Sequence, residues 1–223
     1  MAETKLPLGY RVVRSLFRAT FRVLADVDAR GLERVPMEGG ALLAANHMTF
    51  LEGPLVFGLV ARHPLTALAK QEFQGTLAGR VVDLVNPIYV ARGEVDRKAL
   101  KEMMQRLKEG AAIGIAPEGT RSKTGKLMEG KEGAAYLAFQ TGAWVVPVAV
   151  WGQEQMLAQL KRFRRPKIHL RVGEPFRIES EPGKARGEIL AAGTERIMHA
   201  IARMLPPEYR GAYADEVQGP PQW

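Results

Sequence analysis

The chain has 223 residues, of which 46% are hydrophobic and 25% charged, a size and composition that fit one globular domain and exclude disorder over most of the length. It contains no cysteine, which excludes disulfides, thiolate metal sites and a cysteine nucleophile. The formal net charge of +8 predicts an anionic partner, for which nucleic acid, anionic lipid and a phosphorylated metabolite all qualify.

Residues 8–25 are predicted to form an amphipathic helix. One stripe, spaced three or four residues apart, is basic: Arg11, Arg14, Arg18 and Arg22. The other is apolar: Tyr10, Val13, Phe17, Phe21 and Leu24. Arginines at headgroup depth with aromatic rings at the acyl boundary are typical of a helix that lies on a membrane. A helix packed on its own domain needs the same apolar stripe, and the basic stripe favours the membrane.

After this helix, short apolar runs alternate with helical patterns. Predicted strands cover residues 26–30, 41–45, 65–69, 87–91, 111–116, 144–150 and 167–172. Predicted helices cover residues 51–62, 72–83, 94–109, 132–141 and 188–204. This alternation predicts a single α/β domain whose mainly parallel sheet is flanked by helices. Pro147, inside an apolar run, predicts an edge strand or a bulge.

The sequence has no run of the ~18 to 20 apolar residues that a membrane-spanning helix needs. Arginines interrupt the N-terminal segment, which does not resemble a secretory signal. We therefore expect residues 1–25 to be a membrane-associating helix, residues 26–205 the α/β domain and residues 206–223 a C-terminal tail. The expected location is the cytoplasmic face of the cell membrane, with attachment from one side only.

The first candidate site follows the strand at 41–45, where residues 46–52 read Asn-His-Met-Thr-Phe-Leu-Glu. Residues just past the carboxyl end of a strand lie in the crevice where α/β proteins bind ligands. His47 suits proton transfer there, and the carboxylate of Glu52 would fix its tautomer. Five residues turn through about 140° on a regular helix, so the two side chains meet only if residues 48–51 form a turn. A structural histidine near a surface carboxylate is the alternative.

The second candidate site follows the strand at 111–116, where residues 117–122 read Pro-Glu-Gly-Thr-Arg-Ser. Pro117 ends the strand, and Gly119 lets the backbone approach a ligand closely. The hydroxyl of Thr120 and the guanidinium of Arg121 suit a phosphate. A plain loop with an ion pair is the alternative.

Together, four short motifs resemble the signatures of the glycerophospholipid acyltransferase family (PlsC-type), typified by bacterial 1-acylglycerol-3-phosphate acyltransferase. Residues 46–52 resemble its Asn-His-x4-Asp signature, and residues 86–92 resemble its second signature, which ends in arginine. Residues 116–122 resemble Phe-Pro-Glu-Gly-Thr-Arg-Ser, and residues 146–148 resemble Val-Pro-Val. Four ordered motifs are far more specific than any one of them. The resemblance covers roughly residues 26–180.

The resemblance implies a mechanism. His47 would be the general base that takes the proton from the acceptor's hydroxyl, and Glu52 would orient it. A fatty acyl group would pass directly from a thioester donor, acyl-CoA or acyl-carrier protein, to 1-acyl-sn-glycerol-3-phosphate. The sequence has neither a cysteine nor a Gly-x-Ser-x-Gly elbow that would supply a nucleophile for an acyl-enzyme. Neither a cofactor nor a metal is expected.

The resemblance also implies an acceptor site. Its phosphate would be held by three cations: Lys70, Arg92 and Arg121. Its pocket would be shaped by three residues of the third motif: Glu118, Gly119 and Thr120.

Three positions depart from the family's pattern. Glu52 stands where the family has aspartate, Ala116 where it has phenylalanine and Asn86 where it has glycine. Shifting a catalytic carboxylate by about one ångström can cost a large factor in rate. These departures leave open an acyltransferase for a different lysolipid, or a lipid-binding relative with weak catalysis.

A basic cluster at 161–167 reads Lys-Arg-Phe-Arg-Arg-Pro-Lys. Its charge would suit nucleic acid, anionic lipid or an acidic acyl carrier protein. Since the sequence shows no recognised nucleic-acid-binding motif, the expected partners are an anionic membrane surface and the acyl donor, and nucleic acid is not expected.

Overall fold

The computed structural model describes residues 6–91 and 96–223. Arg92, one of the predicted phosphate ligands, lies outside the described residues.

The described chain contains seven strands and seven α-helices. The strands are β1 (Asp26–Arg30), β2 (Ala41–Ala45), β3 (Leu65–Lys70), β4 (Ile88–Val90), β5 (Ala112–Ile115), β6 (Trp144–Trp151) and β7 (Lys167–Val172). The helices are α1 (Leu8–Leu24), α2 (Glu52–Leu59), α3 (Leu77–Asp83), α4 (Arg97–Lys108), α5 (Gly133–Thr141), α6 (Met156–Leu160) and α7 (Arg186–Met204). Each predicted element is present: β1, β2 and β7 have the predicted bounds, and the other predicted elements have shifted ends. Helix α6 is an addition that is too short to show a helical period.

The seven strands form one sheet in the order β1-β7-β6-β2-β5-β3-β4. The five strands from β6 to β4 in this order are parallel to one another. Strand β7 runs antiparallel to β6 and pairs with β1, which is parallel to β7. The predicted mainly parallel α/β fold is therefore confirmed. Parallel strands bring their carboxyl ends to one edge, called here the carboxyl edge. The first and third motifs lie there, after β2 and β5, whereas the second motif spans β4 and the fourth lies within β6.

Pro147 lies in the middle of β6, between β2 and β7, so the prediction of an edge strand or a bulge was wrong. The ladder between β6 and β7 starts only at Val148, where Val148 pairs with Val172. Beyond it, the Pro147 ring faces Gly173, at which a Cβ would come within 2.9 Å of the ring. Gly173 N–H donates to the Pro147 carbonyl at 2.9 Å. The missing N–H of proline thus falls where the neighbouring strand has already ended.

Helices cover both faces of the sheet. Side chains alternate along β2, so Leu42 and Ala44 join one buried cluster while Ala41 and Leu43 join the other. The first cluster contains residues of α4, α5 and α7, and we call this side the α7 face. The second contains residues of α1, α2 and α6, and we call this side the α1 face.

The aromatic stripe of α1 packs on the domain. Tyr10, Val13 and Phe21 are buried, and the Tyr10 ring lies 4.8 Å from the ring of Phe57 in α2. The Tyr10 hydroxyl also accepts a hydrogen bond from the N–H of Leu65 at 3.0 Å. The prediction that these rings face the acyl chains of a membrane was therefore wrong, because α2 and the start of β3 offer them a closer partner.

Residues 206–223, predicted as a C-terminal tail, lie against the domain. The N–H of Leu127 donates to the carbonyl of Tyr209, and the N–H of Ala212 donates to the carbonyl of Leu127. Tyr213 is buried, and its hydroxyl accepts a hydrogen bond from the N–H of Gly130 at 3.1 Å. These contacts fix the segment that follows the third motif.

Candidate active site

Asn46 fixes the point at which the chain leaves β2. Its side chain is buried, donates to the Val150 carbonyl at 2.8 Å and accepts from the Val150 N–H at 2.8 Å. This amide pair extends the connection between β2 and β6 by one residue beyond the backbone ladder. The backbone of His47, the next residue, is therefore held at a defined position on the carboxyl edge.

His47 and Glu52 meet across a turn, as the sequence required. Nδ1 of His47 lies 3.3 Å from Oε2 of Glu52, the first residue of α2. The other carboxylate oxygen, Oε1, accepts the N–H groups of Met48 at 3.1 Å and Thr49 at 2.7 Å. The turn at 48–51 is thus tied to the same carboxylate that faces the imidazole. With Nδ1 directed at Glu52, Nε2 is the ring nitrogen free to exchange a proton with a substrate.

Gln153 is a site residue that the sequence analysis missed. It follows β6 in a 3₁₀-helix (Gln153–Gln155), is 1% exposed, and its Nε2 donates to Oε1 of Glu52 at 2.7 Å. Sequence offers no signal for this contact, because 101 residues separate the two and only the adjacency of β2 and β6 brings them together.

The hydrogen bonds around Glu52 decide its ionisation. Burial alone would raise the pKa of Glu52, since desolvation penalises the charged form. The hydrogen bonds from His47, Gln153 and the backbone of Thr49 outweigh burial, and the pKa lies below its ordinary value. Glu52 is therefore a carboxylate at neutral pH, the state that stabilises an imidazolium.

Glu118 holds the backbone of His47. It is buried, and its two carboxylate oxygens accept the N–H of His47 at 2.7 Å and the N–H of Met128 at 3.0 Å. The N–H of Ser122 donates to the His47 carbonyl at 2.8 Å. Burial raises the pKa of Glu118 to about 7, and the backbone hydrogen bonds offset this only in part. Glu118, predicted to shape the acceptor pocket, thus joins the first and third motifs.

The middle of the third motif, residues 119–121, is exposed to solvent, whereas Ser122 is buried. Gly119 has a φ of 72°, and a Cβ there would lie 3.3 Å from Nζ of Lys131. Thr120 and Arg121 are exposed. The ammonium group of Lys131, to which the sequence analysis gave no role, adds a positive charge beside this loop.

Lys70 lies further along the carboxyl edge. It ends β3, which is separated from β2 by β5, so the two strands are about 10 Å apart. Lys70 is half-buried and pairs in register with Val90 of β4. The structure therefore brings His47, Glu52 and Glu118 into hydrogen-bonded contact. Lys70 ends β3 at the same edge, and Arg121 is exposed in the loop that carries Glu118.

The second motif shows why asparagine replaces the family's usual glycine. Asn86 has a φ of 51°, in the left-handed region that glycine favours and asparagine tolerates better than most residues. Arg106 of α4 donates to its carbonyl at 2.7 Å. This departure from the family's pattern is thus compatible with the same backbone.

Comparisons with known proteins identify the family of this chain. A protein-family model described as Acyltransferase matches residues 26–151. A 1-acyl-sn-glycerol-3-phosphate acyltransferase of Bacillus subtilis is 25% identical over 87% of this chain and 96% of its own length. A probable enzyme of that name from Mycoplasma pneumoniae is 29% identical over 66% of this chain, and one from Borreliella burgdorferi is 29% identical over 61%. The chain spans 57% and 54% of the lengths of these last two.

A solved structure resembles the whole domain. The crystal structure of the 1-acyl-sn-glycerophosphate (LPA) acyltransferase PlsC from Thermotoga maritima matches with a TM-score of 0.66 and 26% identity. The match covers 84% of this chain and 76% of that one.

Proposed function

The chain belongs to the acyltransferase family, and on this premise we propose that it transfers a fatty acyl group from a thioester donor to the free hydroxyl of 1-acyl-sn-glycerol-3-phosphate, yielding phosphatidic acid. The observation that carries the proposal is the contact of 3.3 Å between Nδ1 of His47 and Oε2 of Glu52 at the carboxyl edge. The names of the relatives in Bacillus subtilis and Thermotoga maritima support the acceptor.

In the proposed reaction, Nε2 of His47 removes the proton from the acceptor hydroxyl as its oxygen attacks the thioester carbonyl. The carboxylate of Glu52 stabilises the imidazolium that forms. The tetrahedral intermediate then collapses, the carbon–sulfur bond breaks, and the thiol leaves with the proton from His47. The products are the diacyl lipid and the free thiol of the donor, which is acyl-CoA or acyl-carrier protein in this proposal.

The acceptor phosphate would be held by cations along the carboxyl edge. Arg121 offers a guanidinium fork, which can bind phosphate through two parallel hydrogen bonds. Lys131, beside Gly119, and Lys70, at the end of the neighbouring strand β3, add positive charge. Arg92, outside the described residues, is a further candidate. Glu118, Gly119 and Thr120 shape this loop, and the exposure of Arg121 leaves its side chain available to a ligand.

The exposed apolar side chains support a membrane partner. Apart from Met37 and Trp223, the large hydrophobic side chains exposed among the described residues lie in α1, α3 and α6 or within four residues of an end of α2, α3 or α6. Helices α4, α5 and α7, each described over its full length, contribute none. Such concentration on one side is typical of an interaction surface.

The outer side of α1 carries the clearest part of this surface. Its exposed apolar row consists of Leu8, Val12, Leu16 and Val23. The exposed arginines at 11, 18 and 22 lie beside this row, where they would meet lipid phosphates. None of the described helices is long and apolar enough to cross a membrane. We place this surface on the cytoplasmic leaflet, whose anionic lipids attract basic segments.

An acylation assay with a panel of acceptors tests the proposal. The purified chain is incubated with labelled acyl-CoA, or with acyl-carrier protein, and with 1-acyl-sn-glycerol-3-phosphate or a lysolipid bearing a larger headgroup. Labelled phosphatidic acid is the expected product. Transfer only to another lysolipid would replace the acceptor, and the absence of transfer to every acceptor from both donors would contradict the proposed activity.

A further inference from the structure

The 161–165 loop, which joins α6 to β7, presents a bare aromatic ring to solvent. Phe163 is 100% exposed and has a φ of 55°, a left-handed conformation that is uncommon outside glycine. Backbone hydrogen bonds hold this turn: Phe163 N–H donates to the Leu160 carbonyl at 2.9 Å, and Arg164 N–H donates to the Gln159 carbonyl at 3.0 Å. The turn therefore directs the ring outward and keeps it away from the core.

Basic side chains flank the ring on both sides. Four basic residues of the loop are exposed: Lys161, Arg162, Arg164 and Arg165. None of the ion pairs found in the described part of the chain involves these four residues. The loop thus combines an apolar tip with surrounding positive charges that can bind an anionic partner.

The loop is attached to the end of α1. One nitrogen of the Arg165 guanidinium donates to the carbonyls of Arg22 and Ala25, at 2.8 and 2.6 Å. Helix α6, from which the loop emerges, lies on the α1 face through Met156. Val23, the last member of the exposed apolar row of α1, is 69% exposed at this same end.

We propose that the 161–165 loop is a second membrane contact, which inserts Phe163 among the headgroups of an anionic bilayer while its basic residues bind lipid phosphates. An aromatic ring gains from leaving water, and lysine and arginine gain near an anionic surface. An acidic carrier protein or a nucleic acid would also bind the basic side chains of the loop. Neither explains why the loop lies beside the exposed apolar row of α1, and this position favours lipid. This contact goes beyond the acyl transfer reaction and can be tested without it.

Fluorescence of an introduced indole tests whether the tip enters the bilayer. Phe163→Trp is mixed with vesicles of equal parts phosphatidylglycerol and phosphatidylcholine, with and without brominated acyl chains. The new indole should shift its emission to the blue and be quenched by bromine beyond the signal of the parent chain. Met37→Trp is the control, since Met37 is 59% exposed but precedes β2, at the opposite edge of the sheet.

Leu16→Trp separates this inference from the proposed membrane contact of α1. Quenching at position 16 with none at position 163 would overturn the loop contact and leave α1 in place. Binding to vesicles without quenching at either position would overturn both contacts. Acyl transfer to a micellar acceptor, measured on the same variants, reports on the proposed reaction separately.

Charge reversal tests the headgroup contacts. The double substitution Arg162→Glu with Arg164→Glu should weaken cosedimentation with the anionic vesicles by at least about tenfold and leave the weak binding to pure phosphatidylcholine unchanged. Arg97→Glu with Lys101→Glu, on α4 of the α7 face, is the matched control. Unchanged binding to anionic vesicles, with a loss of binding only to duplex DNA or to an acidic carrier protein, would overturn the proposal.

Discussion

At the scale of single residues, both carboxylate oxygens of Glu52 have hydrogen-bond partners. Its Oε1 accepts the N–H groups of the turn at 48–51 and the amide of Gln153, while its Oε2 remains for His47. The side chain of Glu52, one methylene longer than the family's aspartate, therefore reaches the turn, Gln153 and His47 at the same time.

Substitutions at Glu52 should follow this division of roles. Glu52→Ala removes the partner of the imidazole, and we expect kcat to fall by at least about 10²-fold. Glu52→Asp keeps the charge but withdraws it from Gln153, so it should retain more activity than Glu52→Ala and less than the parent. Steady-state kinetics on the three proteins measure this order, and equal rates would show that Glu52 takes no part.

Gln153 should act through Glu52 and not on the substrate. Gln153→Leu keeps the side chain's size and removes its donor, so we expect kcat to fall about tenfold with KM unchanged. Without this hydrogen bond the pKa of Glu52 rises, and the acidic limb of the kcat profile should move to higher pH. Gln155→Leu, an exposed position of the same 3₁₀-helix, is the control and should leave both unchanged. A fall in stability with an unmoved pH profile would mean that Gln153 is only structural.

Which of these residues the sequence reveals depends on how each reaches the site. His47 and Glu118 lie two and three residues past the ends of β2 and β5, and Glu52 is only five residues beyond His47. Their position at the carboxyl edge therefore follows from patterns within single segments. Gln153 and the bridging role of Asn46 depend on the pairing of β2 with β6, and hydrophobic periodicity along the chain carries no information on strand order.

At the scale of elements, the loop at 117–122 links the catalytic histidine to the core. Glu118 lies at its centre as a carboxyl group that is 2% exposed. Burial raises its pKa from 4.5 to about 7, so the folded chain holds a proton that the unfolded chain has released over this range. The stability contributed by Glu118 is then largest below about pH 4.5 and decreases by about 3 kcal/mol as the pH rises to about 7.

Melting curves can isolate this contribution. Glu118→Gln carries no charge at any pH, so its melting temperature should fall less than that of the parent between about pH 5 and about pH 8. His63, whose pKa is lowered to about 4 by burial and by Arg14 and Arg62, has the opposite dependence, but it is present in both proteins and cancels in the difference. If the melting temperatures of parent and variant fell by the same amount over this pH range, the raised pKa of Glu118 would be contradicted.

The boundaries of elements were harder to predict than their existence. Helix α3 starts at Leu77 and not at residue 72, because the Thr76 side chain accepts the N–H of Gly79 and caps the helix there. Pro147 was predicted to lie in an edge strand or a bulge and lies in a central strand. It is tolerated there because the paired part of β7 ends at Val172, opposite Val148, and the sequence of β6 does not reveal where its neighbour ends. The alternation of elements nevertheless predicted the parallel sheet, because buried parallel strands read as continuous apolar runs.

At the scale of the whole molecule, one side of the sheet differs from the other. The α1 face carries the exposed apolar row of α1, and α3 lies next to it, since a Cβ at Gly9 would come within 2.8 Å of Leu84. The amphipathic helix was predicted correctly, but its buried and exposed faces were predicted the wrong way round. Both of its sides contain apolar residues, and only the packing against α2 decides which one stays exposed.

Vesicle binding should depend on the outer row of α1. Val12→Ser with Leu16→Ser removes exposed apolar area and leaves the buried residues intact, so the chain should fold normally and bind anionic vesicles at least about tenfold more weakly. Met37→Ser, at a similarly exposed position outside this surface, is the control. Deletion of residues 1–25 is unsuitable, because it would uncover the core under Tyr10 and Phe21. Undiminished binding of the double variant would place the lipid contact elsewhere.

The central claim is that the imidazole of His47 is the base for acyl transfer, and His47→Ala tests it most directly. The variant and the parent are assayed for labelled phosphatidic acid formed from 1-acyl-sn-glycerol-3-phosphate and a thioester donor, with circular dichroism and melting curves to verify the fold. We expect the folded variant to lose at least about 10³-fold in kcat, the size of a full general-base contribution. A folded variant that turns over at the rate of the parent would contradict the account.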